Sequence, residues 1–393
     1  MTETEKRVPD LRFKGFIEDW EQRKLGEVGE LNRGKSKHRP RNDAKLFGGS
    51  YPFIQTGDVA KAGLYLTNYG QTYSDFGIQQ SKLWNEGTLL ITIAANIAET
   101  SILGIKAAFP DSVIAFESDD VDMVFVKNVI DKISDMLKRT AETSSQANLN
   151  LAKLSELKID LPSIGEQIKI GAFFKQLDDT IALHQRKLTL LEQLKQSYLQ
   201  LMCPQNKGNI PALRFAGFSE PWEQRKIREL FTVTRGQVLA ATKTKDKETN
   251  NFIYPVYSSQ TKNNGLMGFY DQYLFENAIT WTTDGANAGT VNFRKGKFYS
   301  TNVNGVLLSD KGFANKAISE IINKIAWKHV SKVGNPKLMN NVMSEITVTI
   351  PFVEEQNKLS LLFEQLDDTI DLHKCMLDKL LELKLVFLRK MFL

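Results

Sequence analysis

Two stretches of this chain repeat each other almost residue for residue, and that duplication constrains the fold more than any other feature. Residues 9–28 read PDLRFKGFIEDWEQRKLGEV and residues 211–230 read PALRFAGFSEPWEQRKIREL, so 13 of 20 positions are identical at an offset of 202. Arg33-Gly34 still corresponds to Arg235-Gly236, and Tyr51-Pro52 to Tyr254-Pro255 with one residue of slippage. A second pair follows. Leu161-Pro162 and Glu166-Gln167 match Ile350-Pro351 and Glu355-Gln356, and QLDDTI at 176–181 recurs at 365–370, now at an offset of 189. The chain therefore runs twice through the same order: shared lead segment, variable body, shared helix. Shared flanks around divergent interiors describe one frame that carries two different surfaces.

From Glu166 to Cys203 there is no proline and one glycine, and from Glu355 to Leu393 there is neither. Pro162 and Pro351 stand just before each start, as helix punctuation requires. A seam recurs at Leu177, Ile181, His184, Leu188, Leu191, Leu194 and Tyr198. Its second copy is Leu366, Ile370, His373, Leu377, Leu380, Leu383 and Phe387. The spacing predicts two coiled-coil helices with one irregular step. Connectivity favours antiparallel pairing, and a helix of 38 residues spans about 57 Å, which would hold the bodies one to two turns of DNA apart. His184 and His373 are expected to meet as polar register residues; as a metal pair they lack a completing ligand. Asp178-Asp179 and Asp367-Asp368 point about 100° apart on a helix and are expected to be solvated or partner-facing. Leu385, Val386, Leu388, Met391, Phe392 and Leu393, with Tyr198, Leu199, Leu201 and Met202, exceed what a two-helix seam uses. They predict further packing from another subunit, or burial against the chain's own bodies.

The bodies mix strand-like runs at 88–94 and 278–282 with helical stretches at 130–140 and 315–330, an α/β (α+β) composition. The expected boundaries are a first body at 1–160, a helix at 161–208, a second body at 209–349 and a helix at 350–393. The polar start carries no signal-peptide pattern, no apolar run is long enough for a membrane span, and two cysteines, Cys203 and Cys375, make no framework. A cytoplasmic protein is expected.

The net charge of +5 is mild, but residues 33–41 alone hold Arg33, Lys35, Lys37, Arg39 and Arg41 without an acid. The counterpart has Arg235, Lys243 and Lys245. Such loops contact phosphates without reading sequence. Base reading needs amide, hydroxyl and guanidinium groups. Candidates are Gln146 and Asn148; Ser259, Gln260, Lys262, Asn263 and Asn264; and Lys332, Asn335 and Lys337. Each of these segments could equally be a solvated loop. Residues 29–36 also satisfy the phosphate-loop pattern GxxxxGK[ST], but no buried strand precedes them and no helix follows. An NTP-using enzyme and a coiled-coil scaffold stand as the alternatives to a DNA-recognition protein.

The paired LRFKGF…WEQRKLGE and LRFAGF…WEQRKIRE segments, with the two EQ…QLDDTI…LH helices, resemble the specificity subunit of a bacterial type I restriction–modification enzyme over essentially the whole chain. The resemblance implies two target recognition domains in tandem, separated by two long antiparallel coiled-coil helices in a pseudo-two-fold duplication. Each domain would read one half of a bipartite, asymmetric double-stranded DNA site. It further implies recruitment of two methyltransferase subunits and, through them, two restriction subunits. S-adenosylmethionine, ATP and Mg are expected in those partners, and no cofactor, metal or catalytic residue in this chain.

Overall fold

The structure is a computed structural model that describes residues 7–142, 149–204, 208–259 and 262–393. Two compact units emerge: residues up to Lys187 together with His373–Leu393, and Leu188–Leu372. Each unit thus takes one body plus part of each long helix, so the units cut across the helices rather than following the expected boundaries.

In the first unit, the shared EQRK becomes the strand Glu21–Lys24. It pairs antiparallel with Lys158–Leu161, immediately before the long helix, with Glu21 opposite Leu161. In the second unit Glu223–Lys226 pairs in the same way with Thr347–Ile350. Trp20 and Trp222, one residue before each strand pair, are both buried. The lead segment and the helix start are therefore shared because they fold against each other.

The first body is built on a five-stranded sheet in the order Glu30–Arg33, Val113–Glu117, Leu89–Thr92, Thr100–Leu103, Tyr65–Leu66. Its central strand is buried on both faces. Leu89, Ile91, Ile102 and Phe116 pack with the helix Met123–Glu142, while Leu90, Leu103, Val113 and Ala115 pack with Ile54, Val59, Trp84 and Phe109. That is the two-residue alternation of a strand with apolar partners on each side. The helix starts at Met123, earlier than the expected 130. Asp122 accepts from the Phe125 amide at 2.7 Å and Asn128 donates to the Val124 carbonyl at 2.8 Å, which secure a helix there.

The second body has six strands in the order Thr232–Arg235, Asn304–Leu308, Phe275–Thr282, Val291–Ser300, Tyr254–Tyr257, Leu266–Tyr270. The helix Lys316–Ala326 is capped by Asn315 and covers the face of Ile279, Trp281 and Leu307. The first four strands follow the same order as in the first body, although their sequences have diverged.

The long helices are Ile164–Leu201, with 38 residues, and Val353–Met391, with 39. Within the first unit they run antiparallel: Phe173 packs on Phe387, and Lys384 donates to Asp178 at 2.6 Å. In the second unit Lys195 donates to Asp367 at 2.6 Å, the same contact with the duplicated partners. Asp178 and Asp367 are thus the partner-facing members of their pairs, while Asp179 is solvated and pairs with Lys175. One expectation is corrected. Leu194 and Leu383 are exposed, and the seam passes through Lys195 and Lys384 instead. Read as 191, 195, 198 and 380, 384, 387, the spacing is a regular heptad, so the irregular step disappears. The other seam residues are buried or half-buried, among them Leu177, Ile181, Leu188, Leu191, Leu366, Ile370, Leu377 and Leu380.

His184 and His373 touch through their Nδ1 atoms at 2.9 Å in the first unit. Among the described residues no group of three or more His, Cys, Asp or Glu gathers around a point that could hold a metal. The apolar C-terminal turns are partly core. Leu388, Met391 and Phe392 are buried with Trp20, Phe125 and Phe174, whereas Leu385, Val386 and Leu393 stay exposed. The expectation of an outside subunit covering all of them is therefore wrong for the first three. Met202 is buried in the second unit, and Leu201 is exposed. Among the described residues no helix is long and apolar enough to cross a membrane.

Candidate nucleic-acid interface

The frame behind the candidate surfaces is a pair of buried ion pairs. Arg12 donates two hydrogen bonds of 2.7 Å to Glu166, and Arg214 repeats the geometry on Glu355 at 2.9 and 2.7 Å. Gln167 and Gln356 donate to the carbonyls of Pro162 and Pro351, holding each helix start. The paired glutamate raises the pKa of Arg12 and of Arg214, through the side-chain hydrogen bond first. The matched LRF and EQ motifs are thus explained by structure and need no ligand.

Arg33 ends the strand Glu30–Arg33, which is exposed at that residue, and Gly34 follows it. A Cβ on Gly34 would lie 2.2 Å from the Pro110 carbonyl oxygen. One on Gly236 would lie 2.2 Å from those of Ser300 and Thr301. The Arg-Gly pair is shared because only glycine allows that approach. The phosphate-loop pattern at 29–36 is therefore half strand, and the Gly34 amide is spent on the Val113 carbonyl at 2.9 Å. The chain after it forms no helix, so the NTP-site geometry does not arise.

Of the five charges at 33–41, Arg33, Lys35 and Lys37 are exposed and have no acidic partner among the described residues. Arg39 folds back onto the Ser36 and His38 carbonyls, and Arg41 pairs with Asp111 at 2.5 Å. The sequence hid this acid, which arrives from 70 residues away. Arg235, Lys243 and Lys245 are exposed in the second body; Arg235 ends the edge strand Thr232–Arg235, whereas Lys245 pairs through its backbone with Phe269 at the opposite edge of the sheet.

Gln146, Asn148 and Gln260, with the side chain of Lys262, lie outside the described residues. Ser259 is half-buried. Asn263 and Asn264 are exposed, with left-handed φ values of 50° and 51°. Lys332 and Asn335 are exposed. Lys337 lies 3.5 Å from Asp284, and its backbone pairs with Ser331 in both directions.

Sequence reading missed the most distinctive feature, a polar cleft of about 270 Å³ in the second unit. Its lining includes Ser258, Thr280, Thr282, Asn287, Arg294 and Asn304. Arg294 is 8% exposed. Its guanidinium lies 3.7 Å from the Tyr257 ring centroid, with Nε donating to Thr280 at 3.1 Å and a terminal nitrogen to the Asn264 carbonyl at 2.7 Å. Burial lowers its pKa to about 10, so it stays cationic at neutral pH. No carboxylate pairs with it among the described residues. Oδ1 of Asn304 and Oγ of Ser300 are buried without partners. In sequence, Arg294 sits beside Lys295 and Lys297 and reads as a surface charge; only strand register turns it inward.

The same register identifies the equivalent positions of the first body. Ile91 faces Thr100 and Thr92 faces Val113, as Trp281 faces Val291 and Thr282 faces Asn304. Leu103 bonds to the Thr88 carbonyl where Arg294 faces Ala278. Ile54, Leu90, Leu103, Phe109 and Val113 thus stand where the second body has Tyr257, Thr280, Arg294, Ser300 and Asn304. The first five belong to one apolar cluster.

Comparison with known proteins agrees with this division into copies. The family profile "Type I restriction modification DNA specificity domain" matches residues 17–193 and 219–382. S.MpnORF365P of Mycoplasma pneumoniae, named as a type I specificity subunit, is 31% identical over 216 residues, covering 54% of this chain and 76% of that one. The EcoprrI specificity subunit of Escherichia coli is 21% identical over 355 residues, 87% of this chain and 86% of that one. The solved S subunit of the type I restriction-modification system from M. genitalium superposes with a TM-score of 0.73 at 15% identity, covering 98% and 99% of the two chains, a likeness of fold. This chain, whose two matched stretches are the two copies of its own duplication, belongs to the type I restriction–modification DNA specificity family.

Proposed function

We propose that each unit reads one half of a bipartite, asymmetric double-stranded DNA site, and that the paired long helices set the spacing between the halves. The chain recruits two methyltransferase subunits and, through them, two restriction subunits. It supplies recognition and no catalysis of its own; S-adenosylmethionine, ATP and Mg act in the partners, in the cytoplasm. One observation carries this reading. The two copies keep the same ion-paired frame, Arg12–Glu166 and Arg214–Glu355, and the same sheet order, yet differ in the face laid on it. A common frame with exchangeable surfaces is what independent reading of two half-sites requires. Exposed helix residues such as Leu183 and Leu385 in the first unit, and Leu190 and Leu361 in the second, support docking of partner subunits.

The test is exchange of residues 231–335 for the corresponding body of another family member, followed by methylome sequencing of cells carrying the chain and its methyltransferase. One half of the methylated motif should change and the other should persist. Simultaneous change of both halves would overturn the modular reading.

A further inference from the structure

The cleft of the second unit is built at a cost that the first unit avoids. At the equivalent face the first unit closes its sheet with Ile54, Leu90, Leu103, Phe109 and Val113, and the helix Thr56–Lys61 adds Val59 as a lid. In the second unit the chain that follows the matching Tyr-Pro strand has no such helix among its described residues; Ser258 and Asn264 line the opening instead. Apolar closure is thus compatible with the frame, and yet the second copy buries a guanidinium without an acid and leaves the Asn304 acceptor on the cleft wall unpartnered. A buried charge without a counter-ion and a buried acceptor without a donor both destabilise a fold, so retaining the two at one opening indicates a ligand that completes them.

The chemistry of that ligand follows from the groups present. Arg294 offers a donor cation, which seeks an acceptor. Asn304 Oδ1 accepts only, so the ligand must also donate. A phosphodiester has acceptors and no donor. The major-groove edge of a G·C pair has both, with guanine O6 and N7 as acceptors and the cytosine N4 amino group as donor, and Arg to guanine is the common pairing in DNA reading. The remaining walls, Thr280, Thr282, Asn287 and Asn292, are neutral hydroxyls and amides suited to a base and not to a charged group. The cleft measures about 270 Å³ and opens to the surface.

We propose that the Arg294 cleft recognises a guanine in the half-site read by the second unit, with Arg294 donating to guanine O6 and N7 and Asn304 accepting from the N4 amino group of the paired cytosine. The inference rests on the bipartite reading above and adds the residues and the base.

The experiment uses the chain assembled with its methyltransferase subunits and reads the methylated motif for the wild type, Arg294→Gln, Asn304→Ala and Asn287→Ala. The wild-type motif should contain a guanine in the second half. Arg294→Gln should relax that position alone, by about 5- to 150-fold in preference for guanine, with the first half unchanged. Should Arg294→Gln fail to fold, Asn287→Ala, at the half-buried wall, should relax the same position. An unchanged motif in the folded variants overturns the proposal. If binding then weakens uniformly across sequences and the salt slope falls by about one, the cleft holds a phosphate. If only thermal stability drops, Arg294 is structural. A wild-type motif without two halves would instead refute the bipartite reading.

Discussion

The guanidinium of Arg12 closes on the fully buried carboxylate of Glu166, 154 residues away, through two hydrogen bonds of 2.7 Å. This contact ties the lead segment to the first turn of the long helix, and its duplicate, Arg214–Glu355, does the same in the other unit. Removing one partner leaves a desolvated charge, so Glu166→Ala and Glu355→Ala should each destabilise their unit by about 3–5 kcal/mol. Urea denaturation of the purified chain measures this. Replacing both members of a pair with apolar residues should recover much of the loss.

Asp367 gives the seam a pH dependence. Desolvation pushes its carboxyl pKa up, but Lys316 and Lys195 outweigh it and hold the folded value below the ordinary one. A depressed folded pKa contributes stability that is complete above the unfolded pKa, about 3.9, and fades as pH falls through the folded value. The stability difference between the wild type and Asp367→Asn should therefore be present at neutral pH, begin to fade at about pH 4 and shrink further as pH falls through the folded pKa below it. Thermal melts across that range would show it, and a constant difference would refute it.

The basic segment should behave as a phosphate contact of unequal members. Lys35 and Lys37 are exposed, whereas Arg41 already pairs with Asp111 at 2.5 Å. Lys35→Ala or Lys37→Ala in the assembled complex should lower the slope of log affinity against log salt by about 0.9 each, and leave the motif intact. Arg41→Ala should change the slope less.

The two thiols should separate cleanly. Burial pushes the Cys203 thiol up to about 11, while Cys375 is exposed on the second long helix. At pH 8 an aromatic disulfide reagent should titrate one thiol rapidly in the native chain and the second only after denaturation. Two fast thiols would mean that the apolar surround of Cys203 opens readily.

The frame is legible in the sequence because both of its halves are present twice. Matching LRF with EQ locates the contacting segments, although not their chemistry: nothing local reveals that Arg12 meets Glu166. The seam is legible to within one residue. Leu194 and Leu383 fit an apolar pattern, but Lys195 and Lys384 take the position because Asp367 and Asp178 wait opposite. An apolar rule cannot see a polar pair formed across two helices.

By itself the sequence determined the duplication, the heptad helices and the two-body order, since repeats and periodicity are local properties of a chain. The tertiary structure decided which surface each body presents. Leu103 and Arg294 occupy the same place in equivalent sheets, one sealed in an apolar core and one lining a polar cleft. Their sequences share too little to be aligned there. Strand register makes them equivalent, and register is set by hydrogen bonds to strands far away along the chain.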